Sequence, residues 1–168
     1  MMLLRALMQV DDPHHNAIIF RRTTTALRDG MYGEAKHMYK PWNPRVQEQP
    51  MRFQFPSGAV VKFNHMEHDK TAEDDHQGKQ YSLVVFDEGT QFSEYQVQYL
   101  VGRLRSAADG DSQMFISCNP DPDSFLRTWI DWWLDEDGYP DPAKSGIIRY
   151  YVVVGDSLKF ADTEEELL

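Results

Sequence analysis

Short apolar runs separated by turn-forming residues set the rhythm of this chain. Ala17-Ile18-Ile19-Phe20 and Leu83-Val84-Val85-Phe86 are four residues long and Gln113-Met114-Phe115-Ile116-Ser117 is five, with little polar alternation. Runs of that length, rich in β-branched and aromatic residues, predict strands buried on both faces, as in the interior of a parallel sheet. Met51–Phe55 and Val60–Asn64 flank Pro56-Ser57-Gly58 and predict a hairpin, because Pro and Gly supply the turn. Between these runs the period lengthens. Met1–Val10 predicts a buried helix ended by Asp11-Asp12-Pro13, and further helices are predicted over Thr24–Tyr39, Ser93–Leu104 and Ser124–Leu134, the last capped by Asp123 or Ser124. The segment around Trp42 with Pro41, Pro44 and Pro50 reads as loop, as does the polar stretch His65–Gln80, and Arg149–Val154 is a final strand. Alternating strands and helices predict an α/β fold with a mostly parallel sheet and one antiparallel insertion.

Composition adds limits. The 168 residues suffice for one domain with a real core, the single Cys118 excludes an internal disulfide, and no apolar run approaches membrane-spanning length, so no membrane partner is expected. The formal charge of −10 argues at first against a nucleic-acid role. It is unevenly distributed: residues 1–62 hold nine Lys/Arg against five Asp/Glu, and the acidity is concentrated further on, much of it in Asp121–Glu166. Net charge therefore does not decide the function.

Candidate chemistry sits where predicted strands end. An open parallel sheet gathers ligands outside the carboxyl ends of its strands, so Asp87 and Glu88 emerge at the binding crevice. One carboxylate can hold Mg2+ through water while its neighbour orients or deprotonates the water that attacks a phosphate; the plainer reading is an acidic turn after a core strand. Ser117, Cys118 and Asn119 bring a hydroxyl and an amide to the same edge, although Asn-Pro is also an ordinary turn. Arg21 and Arg22 place two guanidiniums at a third strand end, suited to phosphate or DNA backbone, or else a surface pair. The helical aromatics Phe125, Trp129, Trp132 and Trp133 read as packing rather than base stacking. His65, His68 and His76 lie near Asp69, Asp74 and Asp75, but no thiolate accompanies them in the way structural zinc sites favour.

The succession Ile18-Ile19-Phe20-Arg21-Arg22, His76-Gln77-Gly78-Lys79, Val84-Val85-Phe86-Asp87-Glu88, Tyr99 through Ser106 and Ser117-Cys118-Asn119-Pro120 resembles the large terminase subunit of tailed phages. The resemblance runs from about residue 1 to the end. It implies a P-loop NTPase-like, additional-strand (RecA-like) fold with flanking helices and a β-hairpin insertion. In that family Asp87 matches the magnesium partner and Glu88 the catalytic base of the Walker B pair, Ser117 to Asn119 match the motif that couples hydrolysis to DNA movement, and Arg103 and Arg105 match an Arg-x-Arg element facing a nucleotide or a neighbouring subunit. ATP and Mg2+ are the implied cofactors. Double-stranded DNA, a portal protein, a small terminase subunit and further copies in a homo-oligomeric ring are the implied partners, in the host-cell cytoplasm and transiently at the procapsid portal.

One element of the family is missing from these residues. No Gly-x-x-x-x-Gly-Lys-Ser/Thr sequence occurs anywhere in the chain. The resemblance implies that the sequence begins just after this phosphate loop and its preceding strand, with residues 1–155 a partial ATPase domain and 156–168 an acidic segment leading towards a nuclease domain. By itself such a chain is expected not to hydrolyse ATP. Two other functions fit the same residues: a helicase-like translocating ATPase, and a non-catalytic binding or assembly module that retains the fold.

Overall fold

The computed structural model describes residues 1–108, 110–155 and 157–168. The chain divides into two compact units, Met1–Asn119 and Pro120–Leu168. No helix among the described residues is long and apolar enough to cross a membrane.

The first unit is built on a six-stranded sheet of β1 (Asn16–Arg21), β2 (Arg45–Glu48), β3 (Met51–Gln54), β4 (Val60–His65), β5 (Leu83–Phe86) and β6 (Gln113–Ile116), in the order β2-β3-β4-β1-β5-β6. β4, β1, β5 and β6 are mutually parallel, and β2 and β3 join antiparallel to β4. β1 and β5 lie at the centre, and their apolar runs are buried throughout. The outer strands are more exposed, as expected where one edge lacks a neighbour.

Successive side chains of a strand point to opposite faces, so the sheet has two cores. On one face Ala17, Ile19, Val61, Phe53, Phe63 and Val85 meet α1 (Met2–Leu7) and a continuous helical stretch made of α2 (Thr24–Leu27), a π-helical turn (Arg28–Tyr32) and α3 (Gly33–Met38). Tyr32 and Tyr39 fill this core and settle their hydroxyls on backbone carbonyls, donating to Gln47 at 2.7 Å and Leu3 at 3.0 Å. On the other face Phe20 stacks on Phe86 and meets His76, while Phe86 meets Phe92. This side carries α4 (Asp69–His76) and α5 (Glu94–Val101). Ser93 begins α5 with a capping box closed by Gln96, which satisfies two otherwise unpaired N-H groups. Buried His15 ties the elements together, with Nε2 3.1 Å from the Ala6 carbonyl and Nδ1 2.8 Å from Ser82 Oγ; burial lowers its pKa. The β3–β4 turn needs Gly58, whose φ is +107° and whose place is hemmed in by Pro13.

Three readings of the sequence are corrected, one of them being the final strand, since Ser157–Ala161 forms a further strand after Tyr150–Val154. His65–Gln80 contains a helix, because Ala72 and His76 stand four residues apart and are its only buried side chains; an eight-residue helix with so narrow an apolar stripe reads as polar loop. Arg45–Glu48 is a strand, flanked rather than interrupted by Pro44 and Pro50, and its position at the sheet edge explains the lack of apolar alternation.

In the second unit Ser124 caps α6 (Phe125–Ile130), its hydroxyl accepting the Leu126 N-H at 3.3 Å, and a 3-10 turn follows over Asp131–Trp133. The Trp132 ring lies under Lys144 and Arg149, at 5.3 and 4.8 Å, and Trp133 Nε1 donates to the Ile147 carbonyl at 3.0 Å. β7 (Tyr150–Val154) pairs antiparallel with β8 (Ser157–Ala161) in a sheet of their own.

Candidate nucleotide site at the carboxyl ends of the central strands

The parallel ladder continues past the formal strand ends and fixes the backbone of the site. Asp87 N-H donates to the Phe20 carbonyl at 3.0 Å, Ser117 N-H to Phe86 at 2.9 Å and Gly89 N-H to Ser117 at 2.7 Å. Three consecutive neighbours in the sheet, β1, β5 and β6, thereby deliver Arg21, Asp87-Glu88 and Ser117 to one place.

Adjacent residues of an extended strand would send their side chains to opposite faces. Glu88 escapes that rule by adopting a left-handed conformation, φ 59° and ψ 53°, which swings its carboxylate to the same guanidinium as Asp87. A non-glycine residue in this region carries a backbone cost of about 1–3 kcal/mol, and such residues cluster at functional sites. Arg21 Nε donates to Asp87 Oδ2 at 2.7 Å and Nη2 to Glu88 Oε1 at 3.0 Å. Ser117 Oγ donates to Asp87 Oδ1 at 2.8 Å, and Gln91 Nε2 to Glu88 Oε2 at 2.6 Å. All four carboxylate oxygens therefore accept a hydrogen bond. Arg21 is steadied in turn by donating Nη1 to the Ala26 carbonyl at 3.3 Å, and Gly30 leaves room for it: a Cβ there would lie 3.2 Å from Nη1. Asp87 and Arg21 side chains are 19% and 22% exposed and Glu88 45%, so Asp87 is set back and Glu88 is open to a reacting molecule. A cavity of about 290 Å3 adjoins Arg21 and Asp87, bordered by Met1–Leu3 on one side and Gly30–Met38 on the other.

The hard oxygen donors of Asp87 and Ser117 fit Mg2+, which takes one or two carboxylates and keeps much of its water. No group of three or more His, Cys, Asp or Glu side chains is placed to hold a metal among the described residues. His76 is committed elsewhere, with Nδ1 2.8 Å from the Tyr81 hydroxyl and Nε2 3.5 Å from Asn64 Nδ2.

The other residues singled out in the sequence lie apart. Arg22 turns away and donates to the Met66 carbonyl at 3.4 Å. Asn119 is exposed, two residues beyond Ser117. Arg103 and Arg105 lie beside the amino end of β5, the end opposite the site: Tyr81 N-H donates to the Arg103 carbonyl at 2.9 Å and Arg105 N-H to the Tyr81 carbonyl at 3.1 Å, just before β5 begins. From Tyr81 to Asp87 the chain advances roughly 20 Å at ~3.3 Å per residue. The Arg103 guanidinium covers the Tyr99 ring at 4.7 Å, and its buried Nε has no hydrogen-bond partner among the described residues. Gln91 was not anticipated. Its only signal is its place three residues after Glu88, in a turn where a side chain can reach back.

A mostly parallel six-stranded sheet with a paired acidic turn at the carboxyl end of a central strand defines an α/β fold whose candidate site lies at its strand ends. The chain belongs to the large terminase subunit family: the family described as terminase large subunit, T4likevirus-type, N-terminal, matches residues 1–166. Solved structures of similar fold include the large terminase of a thermophilic bacteriophage, with 24% identity and a TM-score of 0.56 over 76% of this chain and 32% of that one. The same terminase in complex with ADP gives 24% identity and 0.55, covering 76% and 31%, and in complex with ATP-gamma-S 23% and 0.53, covering 76% and 30%. The chain thus spans about a third of the length of these relatives. No curated protein sequence matches it.

Proposed function

We propose that this chain is part of the ATPase of a phage DNA-packaging motor, in which ATP hydrolysis drives double-stranded DNA into a procapsid. The observation that carries the reading is the convergence of Asp87, Glu88, Ser117 and Arg21 at adjacent strand ends, with every carboxylate oxygen held in place. Family membership supports it, as do the ADP and ATP-gamma-S complexes of the thermophilic phage's terminase.

In this reading Asp87 holds Mg2+ through water, with Ser117 fixing the carboxylate's rotation. When bound, Mg2+ supplies positive charge that offsets the charge on the phosphates. Glu88, more exposed and steadied by Gln91, orients and deprotonates the attacking water. Arg21 exchanges its carboxylate contacts for phosphate oxygens as the nucleotide enters. Ser117 to Asn119 pass the change at the phosphate to the segment that follows. Arg22, turned away from this cluster onto the Met66 carbonyl, serves DNA or phosphate on that side. Arg103 and Arg105, beside the amino end of β5 and away from their own chain's site, act across a subunit boundary in a homo-oligomeric ring. The DNA is held through its backbone, independent of sequence. A portal protein and a small terminase subunit complete the machine, which works in the host-cell cytoplasm and at the procapsid portal.

The test is nucleotide binding and turnover measured in parallel on the assembled motor containing this chain. Glu88→Gln should retain Mg-ATP binding and lose turnover, whereas Asp87→Asn should weaken the magnesium dependence of binding. Undiminished turnover in Glu88→Gln would overturn the assignment. The 168-residue chain alone, having no glycine-rich phosphate loop in its sequence, should show no turnover.

A further inference from the structure

A second cavity, of about 180 Å3, opens on the α4 side of the sheet, over the β3–β4 hairpin. It shares no lining residue with the network of Arg21, Asp87, Glu88, Gln91 and Ser117. Arg52, Lys62 and Lys79 line it, with His76, Asn64 and Tyr81 forming its polar floor. No carboxylate lines it, and none of its three cations forms an ion pair among the described residues. Arg52 and Lys62 are direct cross-strand partners. We propose that this cavity is a binding site for a phosphate-class oxyanion, with Lys62 at its centre and Arg52 and Lys79 closing around the ligand.

Like charges placed opposite each other on neighbouring strands repel, and an apolar or acidic residue at either position would remove the conflict. Here a third cation is added instead. Lys62 is half-buried, and its pKa is lowered by desolvation and then by Lys79 and Arg52, so its ammonium gives up solvation without gaining an anionic partner. Its aromatic contact, 5.6 Å from the Tyr81 ring centroid, lies near the outer limit of cation–π attraction and supplies only a ring quadrupole, not a counter-ion. Arg52 spends only Nε, donating to Gln47 Oε1 at 2.8 Å, which orients the guanidinium and leaves its other donors for a ligand. Asp75, exposed on α4, acts electrostatically on His76 and Tyr81 but does not line the cavity. Liquid water occupies ~30 Å3 per molecule, so the space admits a tetrahedral oxyanion with a few waters. Three donors of fixed positive charge around such a space suit phosphate better than a carboxylate, which offers fewer acceptor oxygens. The phosphate can be free, as inorganic phosphate or pyrophosphate, or part of a DNA backbone.

The experiment uses the whole chain in chloride at matched ionic strength. Inorganic phosphate, pyrophosphate and a duplex DNA of arbitrary sequence are titrated separately against the unaltered protein, Lys62→Met and Lys62→Arg. The readouts are the ring resonances of Tyr81 and His76 and the thermal midpoint. Saturable shifts with free phosphate that weaken about tenfold or more in Lys62→Met and persist in Lys62→Arg support the site and assign it a free oxyanion. If only DNA shifts these rings, and Lys62→Met weakens DNA binding while lowering its salt slope by about one, the site takes a backbone phosphate. Unshifted rings in the unaltered chain with all three probes, or equal responses in Lys62→Met, overturn the proposal.

Discussion

Two polar clusters on one sheet solve the problem of concentrated charge in opposite ways. At the carboxyl end of β5, adjacent carboxylates that ought to repel are drawn together by a guanidinium, a hydroxyl and an amide, and each carboxylate oxygen accepts a hydrogen bond. Over the β3–β4 hairpin, three cations share one cavity with no carboxylate lining it, and the neighbouring imidazole is held neutral. The first cluster fixes the geometry of its carboxylates with groups of the chain alone. The second gathers its cations with no anionic partner among the described residues. The same force, Coulomb repulsion at short range, marks the first as a preorganised site and the second as a receptive one.

The comparison can be broken most severely at Glu88. In the assembled motor, Glu88→Gln should lower ATP turnover by about 10²-fold or more, the contribution of a positioned base, with nucleotide binding retained in an equilibrium assay. Next comes acid. Burial first, then Lys79 and Lys62, depress the His76 pKa to about 4 from 6.5, with Asp75 opposing. A histidine that is harder to protonate when folded takes up its proton on unfolding, so its contribution is complete above pH 6.5 and lost as pH falls towards 4. The loss should approach about 3 kcal/mol in urea unfolding curves across that range, and His76→Gln should flatten the slope. A phosphate ligand should offset part of it.

Arg21→Met should destabilise by about 1–2 kcal/mol, since it leaves two neighbouring carboxylates unpaired at a partly exposed site. The same variant sharpens the contrast, because magnesium should then raise its thermal midpoint more than that of the unaltered chain. The smallest effect has the opposite sign. Without a phosphate ligand, Lys62→Met should stabilise by about 0.2–1 kcal/mol through relief of the cross-strand repulsion, measured by chemical unfolding.

Legibility followed the reach of the interactions. The runs at Ala17–Phe20 and Leu83–Phe86 announce buried parallel strands because burial on both faces demands unbroken apolar sequence, and the α/β class follows from their alternation with helices. α4 and β2 escaped because each buries too little to write a periodicity. Asp87, Glu88, Ser117 and Arg21 could be put forward from strand ends alone. Gln91 could not, since glutamine in a turn is ordinary until a carboxylate oxygen is seen to need it.

The order of residues settled which side chains stand at which strand ends and, through the family it belongs to, the kind of sheet that holds them. It could not say that Glu88 turns left-handed so that both acids face Arg21, that Arg22 points elsewhere, or that Arg103 and Arg105 sit beside the opposite end of β5. Nor could it pair Lys62 with Arg52. Strand register and backbone handedness arise from contacts among residues far apart in the chain, and charges meet only after those contacts have formed.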